Sequence, residues 1–383
     1  MKFLWTAAIV GMLAGCGSSV RLPPADEVPP ARPGAVPAAP GAFIPGDTGP
    51  LPAPIVQGKA RWQPVRWSEL PGFGSDALHE AWNAWLKSCE RPGPAFAPLC
   101  PQVRQLSIGS PDEQRAWMMQ RLQPYRVEPL SGSAEGLLTG YYEPMLDASR
   151  VATATQAVPL FRPPANLASR KPWFTRQEID TLPEARAALR GREIAYLADP
   201  LDALVLQIQG SGRVRIAEPD GSVRVARLAF AASNEQPYRS VGGWLLQQGA
   251  IRDASWPGIK AWAAQNPRRV NEMLWSNPRV VFFREEPLPD MDAALGPRGA
   301  QGVPLTPGRS IAVDRESIPY GTPVWLASAG PAVNLQRLVL AQDTGSAIVG
   351  AVRADYFTGW GPEAGEVAGR LKQPLRLWVL WPK

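Results

Sequence analysis

Hydrophobic and polar positions along the chain predict helices in several segments. Residues 76–86 repeat apolar side chains at a helical spacing. Residues 111–123 show a second helical pattern, and Ser110 just before them is a favourable N-cap. Further helical patterns cover residues 176–189 and much of 240–275.

Short β-type segments dominate from about residue 145 to 240 and again after 277. Pro219-Asp220-Gly221 separates two of them and is a hairpin turn signal. Because helical segments flank the middle β region on both sides, one domain inserted into another is an economical arrangement, and the middle region is typical of a small β-barrel. The predicted strands are 137–142, 158–161, 193–196, 204–209, 214–216, 223–228, 279–283, 310–313, 323–326, 338–342 and 375–380.

The N-terminal residues predict export and a membrane anchor. Lys2 precedes an apolar run too short to span a bilayer, and Leu-Ala-Gly-Cys16 resembles a bacterial lipobox. The resemblance implies cleavage before Cys16 and acylation of that cysteine, and Gly17 rather than aspartate after it implies the outer membrane. Residues 17–58 are rich in proline, alanine and glycine, which favours an extended tether.

Composition narrows the chemistry. The net charge is +6, without a Lys/Arg run, so it indicates attraction to an acidic partner rather than a nucleic-acid site. His79 is the one histidine, which disfavours Ser-His-Asp and Cys-His mechanisms and a histidine-rich zinc site. No cofactor or metal is expected. With Cys16 lipidated, Cys89 and Cys100 remain as either a disulfide or two free thiols.

Three aspartates of the C-terminal third are candidate catalytic groups. Asp314 and Asp343 follow predicted strands, and either residue could simply shape a turn. Asp355 lies among Ala354, Tyr356 and Phe357. Apolar neighbours raise the pKa of a carboxyl by desolvation, and a raised pKa suits a general acid; a buried aspartate bonded to a turn is the alternative.

Motifs in five separate places resemble one family. They are TGYYEP (139–144), LQIQGSGR (206–213), QPYRSVG (236–242), GVPLTPGRSIAVD (302–314) and the stretch from Asp343 to Phe357. In this order they are similar to the MltA family of membrane-bound lytic murein transglycosylases, whose "3D" domain is named for three aspartates. The sequence departs from the family pattern at Ser346 and at Asn234-Glu235, and neither departure removes a chemical group.

The resemblance implies a mainly β fold with flanking helices, in which a second β-barrel is inserted into a double-psi β-barrel and the substrate groove lies between them. It implies cleavage of the β-1,4 bond between MurNAc and GlcNAc of peptidoglycan without water, giving 1,6-anhydro-MurNAc ends for wall remodelling and recycling. The expected parts are a signal peptide (1–15), an anchor and tether (16–58), a catalytic domain in two pieces (59–143 and 241–383, with the 3D region at 303–383) and the inserted domain (144–240).

The resemblance also assigns roles. Asp355 is expected to be the acid/base, Asp343 the second catalytic-site aspartate and Asp314 a loop support. A hydrolytic glycosidase using both Asp343 and Asp355, and a non-catalytic wall-binding lipoprotein, are the alternatives. The expected partners are peptidoglycan strands and the outer membrane, on its periplasmic face, with a wall-synthesis complex as a further candidate. The predicted substrate-binding residues are Tyr141, Tyr142, Glu143, Gln209, Ser211, Gly212, Tyr238 and Trp360.

Overall fold

A computed structural model describes residues 47–289 and 292–383 of the chain. The predicted signal peptide, Cys16 and most of the predicted tether lie outside the described residues. Among the described residues, no helix has both the length and the apolar character needed to cross a membrane.

The described part of the chain is mainly β with helices, as the sequence predicts. The strands are β1 Ile55–Gln57, β2 Ala60–Pro64, β3 Leu122–Pro129, β4 Gly136–Glu143, β5 Met145–Ser149, β6 Val158–Phe161, β7 Glu193–Leu197, β8 Ser211–Ala217, β9 Val223–Ser233, β10 Val281–Pro287, β11 Ser310–Val313, β12 Pro323–Ala329, β13 Asn334–Asp343, β14 Arg353–Trp360 and β15 Lys372–Pro382. The α-helices are α1 Leu78–Ser88, α2 Cys100–Gln105, α3 Pro111–Arg121, α4 Arg176–Thr181, α5 Pro183–Leu189, α6 Pro200–Gln209, α7 Val241–Gln247, α8 Trp256–Gln265, α9 Val270–Trp275 and α10 Gly361–Arg370.

The first sheet closes on itself. In the described chain its order is β1-β2-β3-β15-β12-β13-β11-β14-β4, and β4 pairs with β15 again. This last pairing joins β15, β12, β13, β11, β14 and β4 into a ring, while β1 to β3 extend from β15. A closed ring leaves no free edge among these strands. The sheet therefore gives a rigid base for side chains on β4, β13 and β14.

The second sheet is inserted in sequence between β4 and β11. Its order is β10-β9-β8-β5-β7-β6, with β10 and β6 at its edges in the described residues. Its core contains Leu206 of α6 together with Val214, Leu228 and Phe283 from the strands. The chain thus leaves the first sheet at the end of β4 and returns to it after β10.

Three sequence-based expectations need correction. Residues 204–209 are part of α6 rather than a strand: Asp199 accepts a hydrogen bond from the Leu201 N–H as the N-cap, and Pro200 occupies the first turn. The second sheet runs beyond the expected boundary at residue 240, because β10 pairs with β9 along its length. At the other end, Ile55–Gln57 of the expected tether is a strand paired with β2.

Helices α1 to α3 cover the outside of the closed sheet. Trp82, Trp85 and Trp117 meet with ring centroids 5.1 to 5.8 Å apart. Cys89 and Cys100 form a disulfide within this layer, with their Cα atoms 5.6 Å apart. The aromatic cluster and the disulfide hold the helices against one side of the sheet and leave the β4–β14 side for α10 and the second sheet.

Candidate active site

Asp355 is the third residue of β14. It is opposite Thr139 of β4 on one side and Ala312 of β11 on the other. The Thr139 hydroxyl donates a hydrogen bond of 2.5 Å to Asp355 Oδ1, and Arg353 Nη2 donates one of 2.8 Å to Thr139 Oγ1. Arg353 and Asp355 are two residues apart on one strand, so their side chains share a face of the sheet. Hydrogen bonds from paired strands therefore fix the position of the Asp355 carboxyl.

Asp343 is the last residue of β13. Its Oδ1 accepts a hydrogen bond from the Ala300 N–H, and its Oδ2 accepts one from the Tyr141 hydroxyl, both at 2.9 Å. The Tyr141 ring packs against Phe357, with centroids 5.2 Å apart. Both carboxyl oxygens of Asp343 are thus occupied in holding β4 and the segment before β11 together.

The pKa values of both carboxyls are raised. Burial raises the pKa of Asp355, although the Thr139 hydroxyl and the Arg353 charge favour its ionised form. Burial also raises the pKa of Asp343 to about 6, against hydrogen bonds from Thr344, Ala300 and Tyr141, and the charge of Asp355 adds to this rise. The like-charge effect therefore raises the pKa of Asp343, whereas the pKa of Asp355 is raised by desolvation.

Asp314 has a different environment. Its carboxylate accepts hydrogen bonds from the backbone N–H groups of Gly350 and Glu316, and Lys59 Nζ lies 3.3 Å from it. Burial alone would raise the pKa of Asp314, but these contacts outweigh burial and hold it below the ordinary value. An ionised carboxylate in this position fixes the loop between β13 and β14 and cannot supply a proton near neutral pH.

A cavity of about 200 Å³ opens in front of Asp355 between the two sheets. The first sheet contributes Asp355, Arg353 and the loop 345–348 that Asp314 holds. The second side contributes Gln207 and Ile208 of α6, Tyr238, Asn277, Arg279 and Val281. A carboxyl with a raised pKa at a cleft between two sheets is a typical arrangement for acid/base chemistry on a bound ligand.

Four predicted binding residues are placed differently around this cavity. Tyr238 lines it and is 37% exposed. Tyr141 instead contacts Asp343, and the Tyr142 ring packs over Gly365 of α10, where an added Cβ would lie 2.8 Å from it. Trp360 is 41% exposed and is not among the cavity-lining residues, while the Arg213 guanidinium lies 4.1 Å from its ring centroid. Tyr238 is therefore the predicted aromatic side chain that faces the cavity directly.

Glu143 is not a substrate contact in this structure, since its side chain is fully buried. Its carboxylate pairs with Arg213 of β8 at 2.8 Å and with Arg227 of β9 at 2.6 Å. The two guanidiniums also donate to the Ala293 and Leu295 carbonyls, in the segment that returns to the first sheet. We call Glu143, Arg213 and Arg227 the junction triad, because it lies where the chain passes between the sheets.

Three further predicted substrate-binding residues contact other parts of the protein and do not line the cavity. Gln209 Oε1 accepts a hydrogen bond from the Tyr142 N–H, which ties α6 to β4. Ser211 and Gly212 are buried at the start of β8, and a Cβ on Gly212 would lie 2.3 Å from Leu206 Cδ1. These buried residues therefore support the side of the cavity that the second sheet and α6 form, without facing the cavity. From the same motif, Gln207 lines the cavity.

Sequence inspection missed Thr139, Arg353 and Arg279. Thr139 belongs to a quoted motif, but only the β4–β14 pairing shows that it faces Asp355. Arg353 could have been found from the two-residue period of a strand, had residues 353–360 been predicted as one. Arg279 has no comparable signal, because its place at the cavity depends on the packing of the two sheets.

Within the described residues, no group of three or more histidine, cysteine, aspartate or glutamate side chains is arranged to hold a metal ion. The site offers one cavity-facing carboxyl with a raised pKa, a second carboxyl held behind it and several amide and guanidinium donors. This is the class of site by which enzymes protonate the leaving oxygen of a glycosidic bond.

Two family models match the chain. The MltA specific insert domain matches residues 137–284, and the 3D domain matches residues 309–381. The chain is 33% identical to the membrane-bound lytic murein transglycosylase A of Escherichia coli K12 over 276 residues, which are 69% of this chain and 68% of that protein. The chain belongs to the MltA family of lytic murein transglycosylases, enzymes that cleave peptidoglycan. It spans about two thirds of the length of its curated relatives, between 65% and 70%.

Solved structures agree with this assignment. A lytic transglycosylase, LtgG, of Burkholderia pseudomallei is 41% identical, with a TM-score of 0.59, and the match covers 90% of this chain and all of that one. MltA from Neisseria gonorrhoeae is 31% identical, with a TM-score of 0.72, and the match covers 87% of this chain and 96% of that one. The two-domain, mainly β fold that the motifs imply is therefore confirmed.

Proposed function

We propose that this chain cleaves the β-1,4 bond between MurNAc and GlcNAc without water, with Asp355 as its single acid/base. The protonated Asp355 carboxyl donates its proton to the glycosidic oxygen. The resulting carboxylate accepts the proton of the MurNAc C6 hydroxyl as that oxygen attacks C1 of the same sugar. The product is a 1,6-anhydro end, and the carboxyl regains its proton.

The observation that carries this proposal is the unequal placement of the two carboxyls. Asp355 faces the cavity, whereas both oxygens of Asp343 bond to Tyr141 and Ala300. A hydrolase of the usual kind needs a second carboxylate to activate water or form a covalent intermediate. An attacking hydroxyl on the substrate itself removes that need, because intramolecular nucleophiles have high effective concentrations.

The test is analysis of products from purified sacculi by mass spectrometry. The wild-type chain is expected to release anhydro-muropeptides, which are lighter by one water than hydrolytic products. Asp355→Asn is expected to lose this release while keeping the thermal midpoint, because asparagine keeps the acceptor for Thr139. Asp147→Asn is the matched control, because Asp147 is an exposed aspartate on β5 that pairs with Arg215.

Other outcomes have distinct meanings. Reducing ends in place of anhydro ends would favour the hydrolytic alternative. Binding of sacculi without any released fragment would favour a non-catalytic wall-binding protein. Full activity in Asp355→Asn would overturn the assignment of the acid/base.

We further propose that acylation of Cys16 anchors the protein at the periplasmic face of the outer membrane. The lipobox-like sequence supports this location, as does the membrane-bound name of the curated relatives. Metabolic labelling with a clickable fatty acid is expected to mark the wild-type chain and to leave Cys16→Ser unlabelled and soluble. Labelling that persists in Cys16→Ser would rule out this anchor.

A further inference from the structure

One cation that lines the cavity, Arg279, has no acidic partner among the described residues. Arg279 lies just before β10 and lines the cavity together with Asp355. In the described part of the chain, the polar contact of its guanidinium is a 3.3 Å hydrogen bond from Nη1 to the Gln236 carbonyl. Burial lowers the pKa of Arg279, and no carboxylate acts against that effect.

In the described part of the chain, three of the four buried arginines pair with carboxylates, and the fourth, Arg176, makes hydrogen bonds to the Asn277 and Arg279 carbonyls and to Gln207. The half-buried Arg279 has neither kind of partner set. Arg309 pairs with Asp76 and Glu80, and Arg213 and Arg227 share Glu143. A half-buried guanidinium is partly desolvated, so leaving it without an anion is unfavourable. The guanidinium group is planar, and two of its N–H groups can donate parallel hydrogen bonds to the two oxygens of a carboxylate.

The opposite wall adds a second cation. Arg353 also lines the cavity, and its guanidinium donates to Thr139 Oγ1 and to backbone carbonyls. Asp355 is the acidic residue among the cavity-lining side chains of the described chain, and it holds a proton when it acts as an acid. With Asp355 protonated, the cavity is therefore net positive, and a bound anionic group would be stabilised there.

We infer that Arg279 binds a carboxylate of the substrate next to the scissile bond, so that the site selects carboxylate-bearing glycan over neutral glycan such as chitin. This inference rests on the proposed function and adds a specificity-determining residue to it. Two carboxylate sources are chemically equivalent here: the lactyl group of MurNAc when it is free, and the stem peptide when the lactyl group is amidated.

The experiment measures binding by calorimetry in the full chain carrying Asp355→Asn, so that no substrate is consumed. The three probes are denuded glycan strands with free lactyl carboxylates, strands that keep their peptides, and chitohexaose. Loss of a charge-assisted pair predicts that Arg279→Gln binds a carboxylate-bearing probe about 10- to 100-fold more weakly. Binding of chitohexaose is expected to change by less than about 2-fold, because that probe cannot use the pair.

Two further variants serve as controls. Arg279→Lys keeps the charge without the fork and is expected to give an intermediate loss. Arg252→Gln changes the net charge equally at an exposed position between α7 and α8, away from the cavity lining. It is expected to keep wild-type binding of all three probes.

The outcomes identify the source of the carboxylate or overturn the inference. A loss with denuded strands assigns the contact to the lactyl group, and a loss confined to peptide-bearing strands assigns it to the stem peptide. An equal loss with chitohexaose, no loss with either carboxylate-bearing probe, or the same loss in Arg252→Gln would overturn it. Because binding is measured without catalysis, a wild-type chain that gives no anhydro product would contradict the proposed function alone.

Discussion

The junction triad allows a strong test of how the two sheets are held together. In Glu143→Gln, a neutral amide replaces a carboxylate that is fully buried and bonded to two arginines. The side chains of Arg213 and Arg227 are 2% and 8% exposed, so water cannot take the place of the lost anion. The mutant would keep two buried cations whose remaining partners are backbone carbonyls.

Removing one partner of a buried ion pair typically costs about 3–5 kcal/mol, and the presence of two guanidiniums places this case at the upper end. The entropy of unfolding grows with chain length, so for a chain of this size each kcal/mol lowers the thermal midpoint by about 1–1.5 °C. Glu143→Gln is therefore expected to lower the midpoint by roughly 6 °C. It is also expected to loosen the cavity, since the triad joins the end of β4 to β8 and β9.

The same sheet supplies the control. Asp147→Asn breaks the Asp147–Arg215 pair, whose side chains are 67% and 52% exposed. An exposed pair contributes about 0–1 kcal/mol, so this midpoint should move by no more than about 2 °C. Differential scanning calorimetry at fixed ionic strength and scan rate measures both variants. Equal midpoints for Glu143→Gln and Asp147→Asn would refute the argument that burial decides the contribution of the triad.

Three other predictions concern the site and its support. Burial raises the pKa of Asp343 to about 6 in the folded protein, above its ordinary value, so at pH values between the two the folded protein binds more protons than the unfolded chain. The free energy of unfolding should therefore fall as pH rises from about 4 to about 6. Asp343→Asn should flatten that slope in thermal-shift curves, and parallel curves would contradict it. Thr139→Val removes a hydrogen bond that favours the ionised form of Asp355, so it should raise the pKa of Asp355 further. The basic limb of the pH–activity profile should then move to higher pH, and a move to lower pH would contradict this role of Thr139. Replacing Cys89 and Cys100 with serine should cost about 3 kcal/mol of stability, measured against the unreduced wild type by urea unfolding, and an unchanged midpoint would show that the α1–α2 layer does not need the bond.

Local pattern was enough to predict most of the elements. Ser310–Val313 and Val158–Phe161 have the predicted bounds, since turn residues flank short runs of strand-forming side chains. Residues 204–209 misled the prediction because a short apolar run is ambiguous between a strand and a buried helix. The signals that indicate a helix in this segment are Asp199, which is the N-cap, and Pro200, which occupies the first turn.

The candidate site was only partly predictable. Asp355 and Asp343 could be selected because they belong to motifs that occur in the order typical of the family. The structure places Asp343 at the end of β13 and Asp355 in β14, both in the closed sheet. The burial of Glu143 could not be predicted, because it depends on two arginines about 70 and 84 positions further along the chain. The approach of Arg279 to the cavity likewise depends on how the sheets pack, which no local pattern records.

The Thr139–Asp355 hydrogen bond joins residues 216 positions apart. The first sheet therefore cannot close until the whole inserted segment, β14 and β15 have been delivered, and bringing such distant strands together is entropically slow. A chain that enters a compartment with its N-terminus first would carry β4 for most of its passage without the strand that holds Asp355. Sequence order therefore brings Asp355 to Thr139 only after all strands of the second sheet have been delivered.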